Sequence, residues 1–296
     1  MLILILDNFD SLLLKRLKEY GNVTFKESRL SEADVILIRS KTKCDKKFID
    51  RAKNLKLIVR GGVGLDNIDI PYANTKNIIV KNTPKSSGIA VAELAFSMML
   101  AISSRIIEAH NSVKEGNWFK EKLVRTELYG KTISLIGMGN TAKELSIRCK
   151  TFGMNVVAYR KSKKTSEYAD VKPTLKDAVK DADYISIHLP LNEETKGIIN
   201  TDIIRCMKQG VVIINTSRAE CVNAEDLTDA LERSKVGAYA NDVWPKDPPP
   251  AEYPILKAPH TLLSPHLGAN SKENLIRIGE EIIKIIKEFV DKRYKG

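Results

Sequence analysis

Residues 131–162 read KTISLIGMGNTAKELSIRCKTFGMNVVAYRKS, and the order of residue types in that stretch decides the fold. A short apolar run, Ile133–Ile136, meets Gly137, Gly139 and Ala142 in a G-x-G-x-x-A spacing. A helical pattern follows, and a second apolar run, Asn155–Tyr159, closes the unit. The first glycine permits a tight turn, the second lets backbone approach a pyrophosphate, and the small third residue lets the helix pack close to the strand. The helix N-terminus contributes free N–H groups and the positive end of a dipole, which makes the turn a dinucleotide-binding candidate.

The end of the second strand bears on which dinucleotide. An NAD-binding unit places an acidic residue there to accept hydrogen bonds from the ribose. Here the strand runs out into Tyr159, Arg160, Lys161 and Ser162. Arg160 can form a bidentate, charge-assisted contact with a 2′-phosphate, and Lys161 and Ser162 can add donors, so NADP is preferred over NAD. The plain alternative is a solvated basic loop.

Outward from this unit, Val- and Ile-rich runs recur between helical patterns, the signature of βαβ units around a buried parallel sheet. The class is α/β. Strands are expected at Leu2–Leu6, Val35–Ile38, Leu57–Val59 and Ile78–Val80, with helices starting near Asp10 and Asp45. These make a first, smaller sheet. A helix over Ala90–Ser103 leads through a polar stretch, residues 105–131, to a second series at Ile133–Ile136, Asn155–Tyr159, Tyr184–His188, Val211–Asn215, Gly237–Asp242 and Thr261–Ser264. Six strands suit a doubly wound nucleotide-binding sheet. A last helix, Ser271–Tyr294, has a Ser N-cap, Asn274 in its first turn and apolar residues at helical spacing, and it can return to the first sheet. The expected domains are 1–95 with 271–296, and 96–270.

Composition narrows the function classes. At 296 residues the chain is long enough for two compact units, because single cores stop growing at roughly 250–300 residues. Hydrophobic residues at 43% and charged residues at 29% exclude a disordered or fibrous chain. The longest apolar stretch, Ile89–Ile102, is broken by Glu93 and falls short of the roughly 20 residues that cross a bilayer. The N-terminal MLILILDNFD lacks the basic flank and cleavage site of a signal peptide, so no membrane partner is expected. Cys44, Cys149, Cys206 and Cys221 are scattered without a C-x-x-C pair or a histidine at zinc spacing. Neither a disulfide framework nor a metal site is indicated, and a reduced cytoplasm is the expected location. The net charge of +11 raises a nucleic acid or an anionic small molecule as partner. Basic residues such as Lys15, Arg16 and Lys18 are dispersed along helical faces, so no nucleic acid is expected, and the field suits an acidic substrate and a phosphorylated cofactor.

Three later segments carry the chemistry. NTSRAE places Arg218 after a strand, NDVWPKDP holds Asp242 and Asp247, and SPHLGA holds His266. Each follows the carboxyl end of an expected strand, where a doubly wound sheet binds ligands. Reduction of a 2-oxo acid needs a fork of donors for the carboxylate, a proton donor for the ketone oxygen and a group that keeps that donor protonated. Arg218, His266 and Asp247 meet those needs in that order. Taken singly, the arginine reads equally as a surface ion pair and the histidine as a turn residue.

Together these segments resemble the D-2-hydroxyacid dehydrogenase family, which includes D-3-phosphoglycerate dehydrogenase and glyoxylate or hydroxypyruvate reductase. The similarity runs nearly end to end, through RSKTK from Arg39, RGGVGLDNID from Arg60, VKNTP from Val80, ELYGKTISLIGMG from Glu127, HLPLNEETKG from His188, INTSR from Ile214 and SPHLGA from Ser264. It implies two doubly wound parallel-sheet domains, a flavodoxin-like substrate domain and a Rossmann nucleotide-binding domain, with Arg218, Asp247 and His266 as the catalytic set. It implies that the loop of Gly61, Gly62, Val63 and Gly64 offers backbone donors to the substrate carboxylate, with Arg39, Ser40 and Arg60 near the far end of the substrate. It places the cofactor against Gly137, Gly139, Asn140, Thr141, Arg160, Lys161, Ser162, Leu189, Pro190, Thr195, Thr216, Ser217, Arg218, Asp242, His266 and Gly268. It also implies a homodimer built through the arm before Gly130. Feedback through an appended regulatory domain is not expected.

The sequence departs from the family pattern at four places. Asp247 stands for the usual Glu, one methylene shorter, which predicts a longer bond to His266 unless the loop moves inward. Arg160 stands for the ribose-binding Asp. Ala219 and Glu220 replace a glycine pair, adding a negative charge near an anion site, and Arg125 replaces a frequent glycine and is a candidate to reach a neighbouring subunit. The leading expectation is a reductase of small 2-oxo acids such as glyoxylate or hydroxypyruvate using NADPH. D-3-phosphoglycerate dehydrogenase is the alternative, and a corepressor-like protein that senses nicotinamide nucleotides is the alternative from another class.

Overall fold

A computed structural model describes residues 1–161 and 165–294 of the chain. The chain divides into two compact units, Met1–Ala90 with Ala269–Gly296, and Val91–Gly268. In order, the first run of elements is β1 (Leu2–Ile5), α1 (Ser11–Leu17), β2 (Asn22–Thr24), β3 (Val35–Ile38), α2 (Lys46–Arg51), β4 (Leu57–Arg60), α3 (Ile70–Thr75) and β5 (Ile79–Asn82). Then come α4 (Gly88–Ser104), α5 (Ile106–Lys114), β6 (Thr132–Ile136), α6 (Asn140–Thr151), β7 (Asn155–Tyr159), β8 (Asp170–Val171), α7 (Leu175–Val179) and β9 (Tyr184–Ile187). The chain finishes with α8 (Thr201–Cys206), β10 (Val211–Asn215), α9 (Ala224–Glu232), β11 (Val236–Asn241), β12 (Thr261–Leu263) and α10 (Lys272–Tyr294).

In the first unit the strands form a parallel five-stranded sheet in the order β2-β1-β3-β4-β5. Both faces are covered, which is why β1 and β3 read as unbroken apolar runs with every residue buried. Alternation sends Ile3, Ile5, Val35, Leu37, Leu57 and Val59 to one face, against α1 and the isoleucines of α10. The opposite face, Leu4, Ile36, Ile38 and Ile58, meets Phe48, Ile49 and Ala73 from α2 and α3. Aspartates 10, 45 and 69 cap α1, α2 and α3, each accepting a backbone N–H from the first turn.

The second unit holds a seven-stranded parallel sheet, β12-β11-β10-β9-β6-β7-β8. Counted from β6 this is the doubly wound nucleotide-binding order with one further strand, and its switch point lies between β6 and β9. The two doubly wound parallel sheets expected from the sequence are therefore present.

Three elements differ from expectation. The short edge strands β2 and β8 carry no apolar run and exist through pairing with β1 and β7. The polar stretch after α4 contains α5, set at 59° to α4 with Arg105 between them in the left-handed region at φ 52°. Among the described residues no single helix is long and apolar enough to cross a membrane.

Candidate active site

The turn between β6 and α6 sits at the switch point of the second sheet. Gly137 has φ +99°, its N–H donates to Tyr159 O at 2.8 Å, and a Cβ there would lie 2.5 Å from the carbonyl oxygen of His188. Only glycine fits such a position. Gly139 is the N-cap of α6 without a side-chain cap, and nothing lies within 4 Å of where its Cβ would be. The next residues, Asn140 and Thr141, open the helix, and Ala142 is fully buried in the core beneath. An uncapped helix start, open space at the second glycine and a buried third residue together fit a pyrophosphate.

Around this turn, Arg160 follows β7 half-buried, and exposed Lys161 pairs with Glu194 Oε1 at 2.5 Å. Ser162 lies outside the described residues. Leu189 and Pro190 continue from β9. Thr195 is engaged internally, with Oγ1 donating to Pro190 O at 2.6 Å and accepting from Asn192 N at 2.9 Å. His188 stood in the sequence only as part of a motif. Its Nε2 is buried without a hydrogen-bond partner among the described residues, and burial pushes its pKa down to about 4. The signal for it was a polar residue closing an apolar strand.

Arg218 follows β10 through a short turn. Asn215, the last residue of β10, is fully buried, and its side chain accepts from Ser217 N at 3.1 Å and Ser217 Oγ at 3.0 Å while donating to Arg218 O at 2.9 Å. The Arg218 guanidinium is half-buried and donates to Ser217 O at 2.6 Å. Beside it, the Thr216 hydroxyl is buried with no partner among the described residues, an orphan donor suited to a ligand. Glu220 is half-buried in the next turn, and burial, with Glu220 and Glu225 adding to it, pushes the Tyr253 phenol up to about 12.

Asp247 and His266 meet directly. Nδ1 of His266 lies 2.6 Å from Asp247 Oδ2, so the shorter aspartate arm costs no contact distance. An ionised carboxylate only accepts, which puts the proton on Nδ1 and leaves Nε2 for another partner. His266 is held at φ 57° by its loop. That loop is tied down by buried Asp242, whose carboxylate accepts from Leu267 N at 2.7 Å, Gly268 N at 2.8 Å and the Ser264 hydroxyl. Trp244 Nε1 adds a bond to Ser264 O at 3.0 Å. Arg218 joins the same edge of the sheet, since Asn215 O accepts from Asp242 N at 3.0 Å.

The remaining candidates belong to the first unit and gather at the carboxyl edge of its own sheet. Arg39 follows β3, and Arg60 ends β4 in register with Ile38. Arg39 donates its N–H to Asp7 Oδ2 and an Nη2 proton to Ala269 O at 3.2 Å, and burial draws its guanidinium below the ordinary arginine pKa against the pull of Asp7. Ser40 is exposed. Gly62 has φ +148° and lies under Arg60, whose Nη1 would be 2.1 Å from an added Cβ. Val63 is exposed, with its carbonyl accepting from Asn82 Nδ2 at 2.6 Å, and Gly64 is half-buried beside it. Arg125 is exposed in the second unit. Among the described residues no group of three His, Cys, Asp or Glu is arranged to hold a metal.

Residues 96–268 match the family described as D-isomer specific 2-hydroxyacid dehydrogenase, NAD binding domain. A hydroxypyruvate reductase of Thermotoga maritima is 42% identical over 262 residues, 88% of this chain and 86% of that protein. A D-3-phosphoglycerate dehydrogenase of Archaeoglobus fulgidus is 40% identical over 261 residues, 86% of this chain and 50% of that protein, so the chain spans about half of its length. The crystal structure of D-lactate dehydrogenase from Aquifex aeolicus, complexed with NAD and lactic acid, is similar with a TM-score of 0.88 at 26% identity, covering 100% of this chain and 97% of that one.

Proposed function

Because the chain belongs to the D-isomer specific 2-hydroxyacid dehydrogenase family, we propose that it transfers a hydride between a nicotinamide nucleotide and a small 2-oxo or 2-hydroxy acid, with glyoxylate or hydroxypyruvate as the oxo substrate. The observation that carries this reading is the 2.6 Å contact of His266 Nδ1 with Asp247, which leaves Nε2 free to exchange a proton. The bound nucleotide supplies the hydride in reduction and receives it in oxidation. Arg218 grips the substrate carboxylate and polarises the neighbouring carbonyl. In reduction His266 delivers the Nε2 proton to the ketone oxygen as C2 becomes tetrahedral, and solvent restores that proton; Asp247 orients the ring throughout. The balance is one oxo acid, one reduced nucleotide and one proton giving one hydroxy acid and one oxidised nucleotide.

The finer parts of the proposal rest on separate residues. NADP in preference to NAD is supported by Arg160 and Lys161 after β7. A homodimer is supported by apolar side chains exposed on α5 and the arm after it, including Ile106, Val113, Trp118 and Val124. A reducing cytoplasm suits a chain whose four cysteines are scattered, three of them buried. D-3-phosphoglycerate is the second substrate reading, supported by half-buried Arg39 beside Arg60, two cations suited to a phosphate. An acid–base pair with an open nitrogen favours an enzyme over a nucleotide-sensing protein without turnover.

Oxidation of NADPH and NADH, followed in parallel with hydroxypyruvate, tests the proposal. Turnover should be faster with NADPH and should fall about 100- to 10,000-fold in His266→Ala. No turnover of either nucleotide with any short 2-oxo acid would end the proposal, and a preference for NADH would end only the role given to Arg160.

A further inference from the structure

Beneath the candidate site, three buried polar side chains form one continuous chain of hydrogen bonds. Asn215 is wholly buried, Asn241 is 1% exposed and Tyr239 is 2% exposed. Register sets them together: Asn215 pairs with Asn241 across β10 and β11, and Tyr239 lies two residues before Asn241 on the same face, opposite Ile213. Asn215 Nδ2 donates to the Tyr239 hydroxyl at 3.3 Å, that hydroxyl donates to Asn241 Oδ1 at 2.9 Å, and Asn241 Nδ2 donates to Val243 O at 2.7 Å.

The direction of the chain is forced by donor and acceptor counting. Asn215 Oδ1 already accepts the N–H and the hydroxyl of Ser217, so its amide cannot be reversed without setting N–H against N–H. Its two Nδ2 protons are both used, one on Arg218 O and one on Tyr239. Tyr239 then has a single proton to give, and Asn241 takes it. The phenol oxygen joins the turn that carries Arg218 to Val243, where the loop to Asp247 begins.

We propose that Tyr239 is a positioning residue for this reaction: its hydroxyl fixes the Arg218 turn and the Asp247 loop relative to each other. This rests on the roles given above to Arg218 and Asp247. A phenylalanine would fill the same core volume against the same neighbours, so the hydroxyl is not needed for packing. Its removal leaves one Asn215 proton and the Asn241 carbonyl unpaired where water does not reach, and both loops are then free to shift. The carboxylate grip of Arg218 weakens first, because a guanidinium fork tolerates little displacement, while the nucleotide turn on β6 and α6 lies outside the chain of bonds.

Steady-state kinetics with hydroxypyruvate test this, using Tyr239→Phe and the double variant Tyr239→Phe/Asn241→Leu beside wild type and Arg218→Ala. In Tyr239→Phe the KM for the oxo acid should rise about 5- to 20-fold, the loss expected for one buried hydrogen bond, while the Kd for NADPH by fluorescence titration should rise less, because the pyrophosphate turn stays in place. Asn241→Leu also takes the donor from Val243 O, so the double variant stays destabilised, and because both changes cut the same chain of bonds its KM should rise no further than that of Tyr239→Phe. A double-variant KM well above that of Tyr239→Phe, or a KM that never rises in a folded Tyr239→Phe protein, overturns the positioning role. Wild-type protein without turnover, or Arg218→Ala with an ordinary KM, overturns instead the reading on which it rests.

Discussion

His188 follows β9 at the switch point, half-buried, with its imidazole Nε2 shut off from solvent. Its folded pKa, about 4, lies below the model-peptide value near 6.5, so on acidification the unfolded chain binds a proton before the folded one. Stability that is complete above about pH 6.5 is lost as the pH falls toward 4, roughly 2 kcal/mol between pH 7.5 and 5. Urea unfolding at those two pH values should show that loss in wild type and a smaller one in His188→Leu; equal losses would mean the imidazole titrates normally. Residues of this sort are hard to see in a sequence. Arg218, Asp247 and His266 stand out because each follows an apolar run and belongs to a residue type with obvious chemistry. Asn215, Tyr239 and Asn241 do not, because their joint action exists only once register sets β10 beside β11. Thr195, drawn in as a cofactor contact by resemblance, has its hydroxyl bonded to Pro190 and Asn192, a local tie that the sequence does not display.

At the scale of the element, the β6–α6 turn contains two glycines with different physical needs, and substitution separates them. Gly137→Ala sets a Cβ 2.5 Å from His188 O on a backbone with φ +99°, so the strand end must move. Gly139→Ala projects into open space and leaves the fold alone. Thermal melts and NADPH titration should therefore give a lowered midpoint for Gly137→Ala, reflecting a stability loss of the order of 1–3 kcal/mol, and an unchanged midpoint with at least about tenfold weaker NADPH binding for Gly139→Ala. Unchanged binding in the second variant would remove the pyrophosphate from this turn. Fully buried strands such as β1 and β3 were legible because burial on both faces writes an unbroken apolar run. β2 and β8 escaped because a two- or three-residue edge strand needs no apolar pattern of its own. Helix α5 escaped behind the left-handed Arg105, which turns the chain away from α4.

For the whole molecule, the net charge of +11 keeps separate copies apart, and the exposed apolar side chains of α5 and its arm favour their association. Sedimentation equilibrium should find a dimer for wild type that dissociates in Trp118→Glu/Val124→Asp, both positions being at least three-quarters exposed in the single chain. A wild-type monomer would refute the homodimer, and a double variant that stays dimeric would move the contact elsewhere. The return of α10 to the first sheet has a consequence in time as well as in space. Four of its isoleucines, 278, 282, 283 and 286, cover one face of that sheet, each worth roughly 1.5–3 kcal/mol of burial. On a ribosome, residues 91–268 emerge as an uninterrupted unit able to close its own core, whereas the ninety residues made before them have one side of their sheet covered by α1 alone until α10 has been synthesised. Of the two units, the one begun first is the last that can finish folding.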